Sequence, residues 1–353
     1  MEIKVIESQA DWRGEELSKR SDWLHHLSDA EISEIDKAYK SIKSKGIDIR
    51  DVNKNNFVLD KFPRVAEKCQ VGLEEGPGVF LIRGFPSSNY SPEDLKVINW
   101  GLAKYVGTAV SQSAEGDVMG DVRNLNTNPD GPKSGRGYKS SRELWFHCDS
   151  ADVSSLFAVR NAKSGGLSGV CSSLAVHNEM ARTRPDLLEL LYEPWWWTWQ
   201  KKCYEHEGPI YQQPIFSVQD GNLSCRYIGG SLRNVPKQYP EIIPPLSARQ
   251  VEAMTLFDQL LNGPEFPIWK PFIPGDWQMV NNHIVMHART EFEDYPEIER
   301  KRHLLRMWLA MPNSRPLSPL MRPVYRDQRA GAVRGGLPPT VPGTVVFETT
   351  EVV

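Results

Sequence analysis

Apolar residues recur along the chain in two patterns, helical spacing and short uninterrupted runs. Ser28 is followed three residues later by Glu31, the spacing of a capping box, and apolar residues then recur at helical intervals. Further helices are predicted after Ser91, where a proline and two acids open the first turn, and after Ser247. The apolar run at 78–84, bounded by glycines, predicts a buried strand.

The same patterns predict the remaining elements. A helix is expected at 174–192 with an interruption near Pro185, and the helix after Ser247 has one apolar face. The residues of that face are Val251, Met254, Phe257 and Leu261. Further strands are predicted at 144–149, 153–160, 277–280 and 304–310. The stretch 115–141 is polar, rich in turn residues and without a period, so a long loop of the functional kind is predicted there.

Strands outnumber helices in this pattern, and neither a repeat nor a linker divides the chain. We therefore predict one mainly β domain with surrounding helices. Its expected parts are a helical extension at 1–75, a core at 76–311 with inserted loops, and an extended C-terminal tail at 312–353 that is rich in Pro, Gly and Arg.

Composition limits the functional classes. The 353 residues are 40% hydrophobic and 25% charged with a net charge of −3, which is typical of a globular protein and offers no basic excess for nucleic acid or an anionic membrane. No apolar run is long enough for a membrane helix, and the charged first twenty residues are not a secretory signal. Five scattered cysteines without a CxxC pair predict reduced thiols in a cytoplasmic protein.

The segment Trp-Phe-His147-Cys-Asp149 contains the first candidate metal ligands. Side chains two residues apart in a strand share a face, so His147 and Asp149 present an imidazole and a carboxylate side by side. The alternative is a surface histidine beside a solvated aspartate. Apolar neighbours on both sides favour a buried pair, and a buried carboxylate needs a partner.

A third ligand is expected from a histidine farther along the chain. His287 follows an Ile-Val-Met run, and His283 competes with it four residues earlier. Two histidines at this spacing on a helix could both bind, but the preceding Gly275 turn and the β-branched residues favour a strand or turn. A lone histidine in an apolar strand is more often a satisfied core residue.

Two arginines stand in the last predicted strand. Arg302 and Arg306 alternate with apolar residues, so both are expected to face inward, where a guanidinium needs an anion. A structural ion pair is the alternative for each. Two histidines and one carboxylate with open positions form the facial triad of non-haem Fe(II) oxygenases.

With these residues the sequence resembles the taurine dioxygenase/TfdA family of Fe(II)- and 2-oxoglutarate-dependent oxygenases, within the clavaminate synthase-like superfamily. The resemblance extends from Gly76 to Ala310. Its short motifs, in family order, are Gly-Val-Phe-Leu-Ile-Arg-Gly-Phe at 78–85, Tyr138 through Leu144–Asp149, Ser164–Ser168, Pro274–Asp276 leading into Asn281–Asn282, His287–Arg289, and Arg302–Arg306.

The resemblance implies a double-stranded β-helix, or jelly-roll, core with iron at its mouth. It implies His147, Asp149 and His287 as the iron ligands, with Fe(II), 2-oxoglutarate and O2 as the cofactors and cosubstrates. Cys148 departs from the threonine that is usual there. Its side chain points away from the ligands in a strand, so no loss of metal is expected.

The resemblance also implies the other binding residues and the reaction. Arg302 matches the arginine that binds a carboxylate of 2-oxoglutarate. Ser168 matches a threonine or serine whose hydroxyl bonds to the same cosubstrate. Arg306 lies where some members hold the anionic group of the substrate. The implied chemistry releases succinate and CO2 and oxidises an unactivated C–H bond by hydroxylation, or by desaturation or ring closure. Asp149 occupies the position that a halogenase would leave for chloride, so halogenation is excluded.

The substrate is expected to be a small anionic molecule, such as an amino acid, carboxylic acid or sulfonate, in catabolism or natural-product tailoring. Gln112, Asn124 and Asn126 are candidate polar contacts, and Trp195–Trp199 is either an aromatic lid or a cap on the core. Neither nucleic acid nor a membrane is an expected partner, and a homo-oligomer is left open.

Two other functions compete with this interpretation. A zinc or manganese cupin-like hydrolase or isomerase could use the same three ligands, but it would have no use for Arg302 and Ser168. A non-catalytic binding or sensing protein with the same barrel would usually lose a ligand, whereas all three are present here.

Overall fold

Local sequence signals set the ends of the longer helices. Ser28, Ser91 and Ser247 each accept a hydrogen bond from the backbone amide three residues on, and in each case that residue's side chain returns the bond. All three predicted caps are therefore confirmed. The computed structural model describes residues 4–124, 140–199 and 208–347.

Helices and strands alternate irregularly along the described residues. The helices are α1 (Gly14–Lys19), α2 (Asp29–Ser44), α3 (Phe62–Glu74), α4 (Pro92–Val106), α5 (Ser173–Thr183), α6 (Pro185–Leu191), α7 (Gly229–Gln238), α8 (Ala248–Asn262) and α9 (Arg322–Tyr325). The first strands are β1 (Leu24–His26), β2 (Val79–Arg83), β3 (Thr108–Val110), β4 (Asp117–Val122), β5 (Leu144–His147), β6 (Val153–Arg160), β7 (Ser164–Gly165), β8 (Ser168–Ser172) and β9 (Trp195–Thr198). The later strands are β10 (Ile210–Gln213), β11 (Phe216–Gln219), β12 (Asn222–Cys225), β13 (Pro267–Lys270), β14 (Trp277–Asn281), β15 (Val285–Arg289), β16 (Phe292–Glu293), β17 (His303–Ala310) and β18 (Val346–Phe347).

A larger and a smaller sheet form the centre of the fold. The larger has the order β1-β2-β14-β6-β17-β4-β18, with β3 also pairing on β17, and the smaller has the order β13-β8-β15-β5. Most pairings are antiparallel, and the chain crosses from one sheet to the other between β14 and β15. This is the jelly-roll arrangement, and the fold-class prediction is confirmed.

Apolar side chains from both sheets meet in one core. Val79 and Val280 of the larger sheet belong to the same buried cluster as Val170 and Met286 of the smaller sheet. A second cluster joins the larger sheet to α2, α3 and α4, which cover its outer face. The sandwich thus presents strands of both sheets to one cavity.

Two sequence predictions are wrong in this part of the fold. β4 lies inside the stretch 115–141 that the sequence predicts to be a loop, because pairing with β17 holds Asp121 buried beside His303. Long-range pairing here overrides the turn-like local composition. Val251, expected on the inward face of α8, is 48% exposed because the first turn of that helix projects into solvent.

The segment that follows β17 packs on the sandwich. The tail expected to be extended contains the short elements α9 and β18, and Arg334 donates to Asp152, the residue before β6, at 2.8 Å. Gly336 and Leu337 then reach the cavity between the sheets. This segment is therefore part of the wall of that cavity.

Buried histidines make the stability of the fold depend on pH. Burial lowers the pKa of His177 to about 4, so it is neutral when folded, whereas in the unfolded chain it takes up a proton near pH 6.5. The contribution of neutral His177 to the free energy of unfolding is complete above pH 6.5 and is lost as the pH falls toward 4. Between pH 7 and 5 we expect His177 to lower the free energy of unfolding by about 2 kcal/mol.

Urea unfolding at pH 7 and pH 5 measures this loss. His177→Gln should reduce the difference between the two pH values, since glutamine binds no proton. The exposed His26 gives a matched control, and His26→Gln should leave the difference unchanged. Equal pH dependence in the His177 variant and the wild type would contradict the prediction.

Candidate active site

Two paired strands bring the candidate metal ligands together. His147 of β5 is directly opposite His287 of β15, and the centroids of the two imidazole rings are 4.3 Å apart. Asp149 follows two residues after His147, and the donor atoms of the three residues all lie within 4.8 Å of one another. These three residues could hold a metal ion, and all three line the cavity described below.

Neighbouring groups hold the carboxylate and one imidazole in place. The Asp149 Oδ2 atom accepts hydrogen bonds from Ser154 Oγ at 2.5 Å and from Trp308 Nε1 at 2.8 Å. The His147 Nδ1 atom lies 2.8 Å from the carbonyl oxygen of Trp145. If Nδ1 carries the proton, Nε2 is left to point at a metal, an arrangement common in metal sites.

The protonation states suit a divalent cation. Burial, with repulsion from His147 and Arg306, lowers the pKa of His287 to about 3, so its imidazole is neutral at pH 7. Burial acts to raise the pKa of Asp149, but His287 and Arg306 outweigh it and keep that pKa below its usual value. A neutral imidazole beside an ionised carboxylate is the state that metal binding requires.

The competing histidine lies outside this group. His283 is fully buried, and its Nε2 atom is 2.9 Å from Asp152 Oδ1. Asp152 also accepts hydrogen bonds from Arg334 and from the backbone amide of Met311. His283 is therefore a core residue bonded to Asp152 through Nε2, and through Asp152 it joins the region after β17 to the metal-site loop.

A cavity of about 320 Å³ opens in front of the three donor atoms. Arg302, Leu304, Arg306 and Trp308 line it from β17 and the residue before it, at alternate positions as a single strand face requires. His147, Ser168 and His287 line it from the smaller sheet. The volume suits small molecules and not a polymer.

Arg302 is a buried cation in this cavity. Its exposed fraction is 4%, and no carboxylate of the described residues lies within ion-pairing distance of its guanidinium. Burial and repulsion from Arg289 lower its pKa to about 9. Gly166, at a φ of +68°, leaves room for it, since a Cβ there would lie 3.2 Å from Arg302 Nε. Such a cation calls for an anionic ligand.

Ser168 also lines the cavity and is 7% exposed. Its hydroxyl donates to Gln278 Oε1 at 2.7 Å, which leaves its oxygen lone pairs toward other donors. In the sheet it is paired with Arg289, whose guanidinium donates to the backbone oxygens of Ser140 and Arg142. No sequence pattern predicts a role for Arg289 beyond its place in the His287–Arg289 motif.

Gln112 contacts one of the predicted substrate-binding arginines, and its own contact with substrate stays a prediction. It lines the cavity, but its amide is occupied: Oε1 accepts from Arg306 Nε at 2.6 Å, and Nε2 donates to the Arg306 backbone oxygen at 2.9 Å. Gln112 therefore orients Arg306. Asn124 is half-buried and is not among the residues that line the cavity, and Asn126 lies outside the described residues.

The tryptophan cluster divides between the two predicted roles. Trp195 is 2% exposed and packs in the core, where its indole donates to the Leu190 carbonyl oxygen. Trp197 and Trp199 also face inward, and both border the cavity. Trp199 packs against Tyr211 with their ring centroids 4.2 Å apart, which makes one wall of the cavity aromatic.

Comparison with known proteins identifies the family. The sequence profile described as "Taurine catabolism dioxygenase TauD, TfdA family" matches residues 54–308. The chain belongs to this family. This oxygenase is an Fe(II)- and 2-oxoglutarate-dependent dioxygenase that uses O2, and the predicted cofactors are confirmed.

Two curated relatives cover most of this oxygenase. It is 27% identical to FR-33289 synthase of Streptomyces rubellomurinus over 88% of this chain and 92% of the relative. It is 28% identical to the taurine hydroxylase-like protein SAT17 of Stachybotrys chartarum over 84% of this chain and 77% of the relative.

Solved structures share the fold of this oxygenase. Asparagine oxygenase with Fe(II), 2S,3S-3-hydroxyasparagine and succinate aligns with a TM-score of 0.64 and 15% identity, over 81% of this chain and 93% of that one. The non-haem iron oxygenase OrfP with Fe and α-ketoglutaric acid aligns with a TM-score of 0.59 and 15% identity, with the same coverage. Among the described helices, none has the length and apolar character needed to cross a bilayer.

Proposed function

We propose that this oxygenase hydroxylates an unactivated C–H bond of a small anionic molecule, as a single domain in the cytoplasm. The residues assigned to it are His147, Asp149 and His287 for iron, Arg302 and Ser168 for 2-oxoglutarate, and Arg306 for the anionic group of the substrate. Desaturation or ring closure is the alternative outcome at the same C–H bond.

The observation that carries the proposal is the position of Arg302. It is buried, has no carboxylate partner among the described residues, and faces the same cavity as the three donor atoms. A guanidinium in this state would be costly without an anion, and the fork of an arginine matches the carboxylate of 2-oxoglutarate. A zinc hydrolase with the same ligands has no need for such a cation.

Each residue of the site has a definable task. Iron with bound 2-oxoglutarate supplies the activation of O2, which converts the cosubstrate to succinate and CO2. Ser154 and Trp308 fix the Asp149 carboxylate through Oδ2, and that same oxygen lies 3.5 Å from His287 Nε2. Leu156 and Leu304 of the larger sheet give the cavity an apolar wall that limits water near the reacting carbon.

The names of the relatives support hydroxylation. The asparagine oxygenase structure holds a hydroxylated amino acid and succinate, and one OrfP structure holds succinate and (3S)-hydroxy-L-Arg. FR-33289 synthase bears the name of the compound it makes. We infer that this oxygenase tailors a small acid in the same manner, in secondary metabolism.

A substrate screen tests the proposal. The enzyme is supplied with Fe(II), 2-oxoglutarate and O2, and amino acids, carboxylic acids and sulfonic acids are tested one at a time. Each acid is compared with its own uncharged amide or ester, and succinate formation is measured. An acid should raise succinate formation above the rate without substrate, and its product should gain one oxygen atom. Stimulation by the uncharged partners alone would contradict the anionic substrate.

Removing the Arg306 guanidinium should affect the substrate and not the cosubstrate. Arg306→Ala is expected to raise the KM for the best acid by roughly tenfold or more, because a hydrogen bond to a charged group is lost. Succinate formed without product should rise, while the KM for 2-oxoglutarate stays near normal. The exposed Arg300 gives the control Arg300→Ala, which should change neither constant. A large loss of thermal midpoint with unchanged substrate KM would show that Arg306 is structural.

A further inference from the structure

Arg226 is a further cation in this cavity, and the proposed function does not use it. It follows β12, is 5% exposed, and lines the cavity. Its Nε and Nη1 atoms are buried without hydrogen-bond partners, and no carboxylate of the described residues pairs with it. Its guanidinium carbon lies 5.0 Å from the centroid of the Trp197 ring, which offsets only part of the cost of burying a charge.

Backbone pairing places Arg226 on the metal-facing side of its segment. His147 pairs antiparallel with Ile228 in an isolated bridge, and the amide of Cys148 donates to the Tyr227 carbonyl oxygen at 2.9 Å. Arg226 and Ile228 both line the cavity, whereas the hydroxyl of Tyr227 between them bonds to Asp258. Because opposed residues share a face, Arg226 projects to the side that carries the metal donors.

The two substrate-side arginines stand on different walls. Arg306 projects from β17 of the larger sheet, and Arg226 projects from the segment bridged to β5 of the smaller sheet. The metal donors of β5 and β15 lie beside the same cavity. A molecule held at both guanidinium groups would therefore extend across the cavity past the metal site.

The charge of the cavity agrees with a substrate that carries more than one negative charge. Its described charged lining consists of Arg226, Arg289, Arg302, Arg306 and a single carboxylate, Asp149. The charges of Fe(II) and of fully ionised 2-oxoglutarate cancel each other. The arginines therefore remain in excess after the cofactors bind, and a monoanion would neutralise only part of that excess.

We propose that Arg226 is a second anion anchor, and that the substrate carries an acidic group at each end, one on Arg306 and the other on Arg226. This proposal rests on the proposed function and narrows its substrate class. The oxidised C–H bond then lies in the interior of the molecule. One oxygen atom of O2 enters that bond as a hydroxyl group and the other enters succinate, with CO2 released. The C–H bond and the decarboxylation of 2-oxoglutarate each supply two electrons.

A binding experiment with defined probes tests this assignment. The enzyme is loaded with Ni(II) and saturating 2-oxoglutarate without O2, and titrated calorimetrically with short α,ω-phosphonocarboxylates and with alkylphosphonates of matched length. In the wild type the best two-acid probe should bind at least about tenfold more tightly than its one-acid match. Equal affinities for the two series would overturn the proposal without any variant.

Substitution then assigns the difference to one residue. Arg226→Gln should reduce the preference for the two-acid probe to about twofold or less, with unchanged affinity for 2-oxoglutarate. If the glutamine variant does not fold, the same preference is measured in Arg226→Lys, which keeps the charge. Arg233, which pairs with Asp258 away from this cavity, gives the control Arg233→Gln, which should keep the full preference.

The remaining outcomes separate this proposal from the proposed function. A variant at Arg226 that loses 2-oxoglutarate affinity instead would place this residue at the cosubstrate and overturn the proposal. In the Fe(II) enzyme, succinate formation stimulated equally by one-acid and two-acid probes would also overturn it, while leaving the anionic substrate intact. No stimulation by any acid would instead count against the proposed function.

Discussion

Replacing His287 by alanine is expected to abolish iron binding and 2-oxoglutarate turnover. His287 supplies one of only three donors that converge within 4.8 Å in the described structure. Substituting a residue that only hydrogen-bonds to a metal ligand typically lowers metal affinity or activity by about 10- to 100-fold. Substituting the ligand itself should therefore lower iron affinity by more than about 100-fold. Iron content after gel filtration and succinate formation measure the two effects.

The neighbouring histidine provides the control for this variant. His283 bonds to Asp152 and is buried away from the donor atoms, so His283→Gln should keep its iron while losing thermal stability. If the His283 variant lost its iron while the His287 variant kept one iron per protein molecule, the assignment of the ligands would be reversed.

Arg302→Lys is expected to raise the KM for 2-oxoglutarate by roughly 10- to 100-fold. A lysine keeps the charge but cannot form the two parallel hydrogen bonds of a guanidinium with a carboxylate, and a bond to a charged group contributes about 1.5–3 kcal/mol. Steady-state rates of succinate formation over a range of 2-oxoglutarate concentrations give the constant.

Thermal unfolding without cosubstrate distinguishes binding from structure in this variant. The Arg302 side chain has no ion pair among the described residues, so the substitution should leave the thermal midpoint unchanged or raise it. The exposed Arg300→Lys should alter neither measurement. A lower midpoint together with an unchanged KM would show that Arg302 supports the fold.

The chemistry of the site was predictable where it follows from strand alternation. Alternation predicts that His147 and Asp149 lie together, as do Arg302 and Arg306, and all four line the cavity although Asp149 and Arg302 stand just outside β5 and β17. The choice of His287 over His283 rested on the family resemblance, since spacing alone left both open. The structure shows the physical difference, because the Nε2 atom of His283 is bonded to Asp152 and His283 does not belong to the group of converging donors.

Contacts between distant segments were beyond such reasoning. Arg226 stands between a cysteine and a tyrosine after a short strand, and only its bridge to the metal-site strand makes it face the cavity. Gln112 is predicted to contact substrate because it is polar, and only the fold shows that its amide also bonds to Arg306. Single-sequence patterns describe faces of elements and not which elements meet.

The return of the C-terminal segment to the cavity has a consequence for synthesis on the ribosome. Arg334 closes on Asp152, and Leu337 borders the cavity, although the metal donors are complete once His287 has emerged. A nascent chain can therefore gather its three iron ligands about fifty residues before the wall of the cavity exists, since Leu337 lies fifty positions after His287. Until Gly336 and Leu337 emerge, the side of the cavity that they line is open to solvent, so enclosure of the oxidising centre comes later in synthesis than its metal ligands.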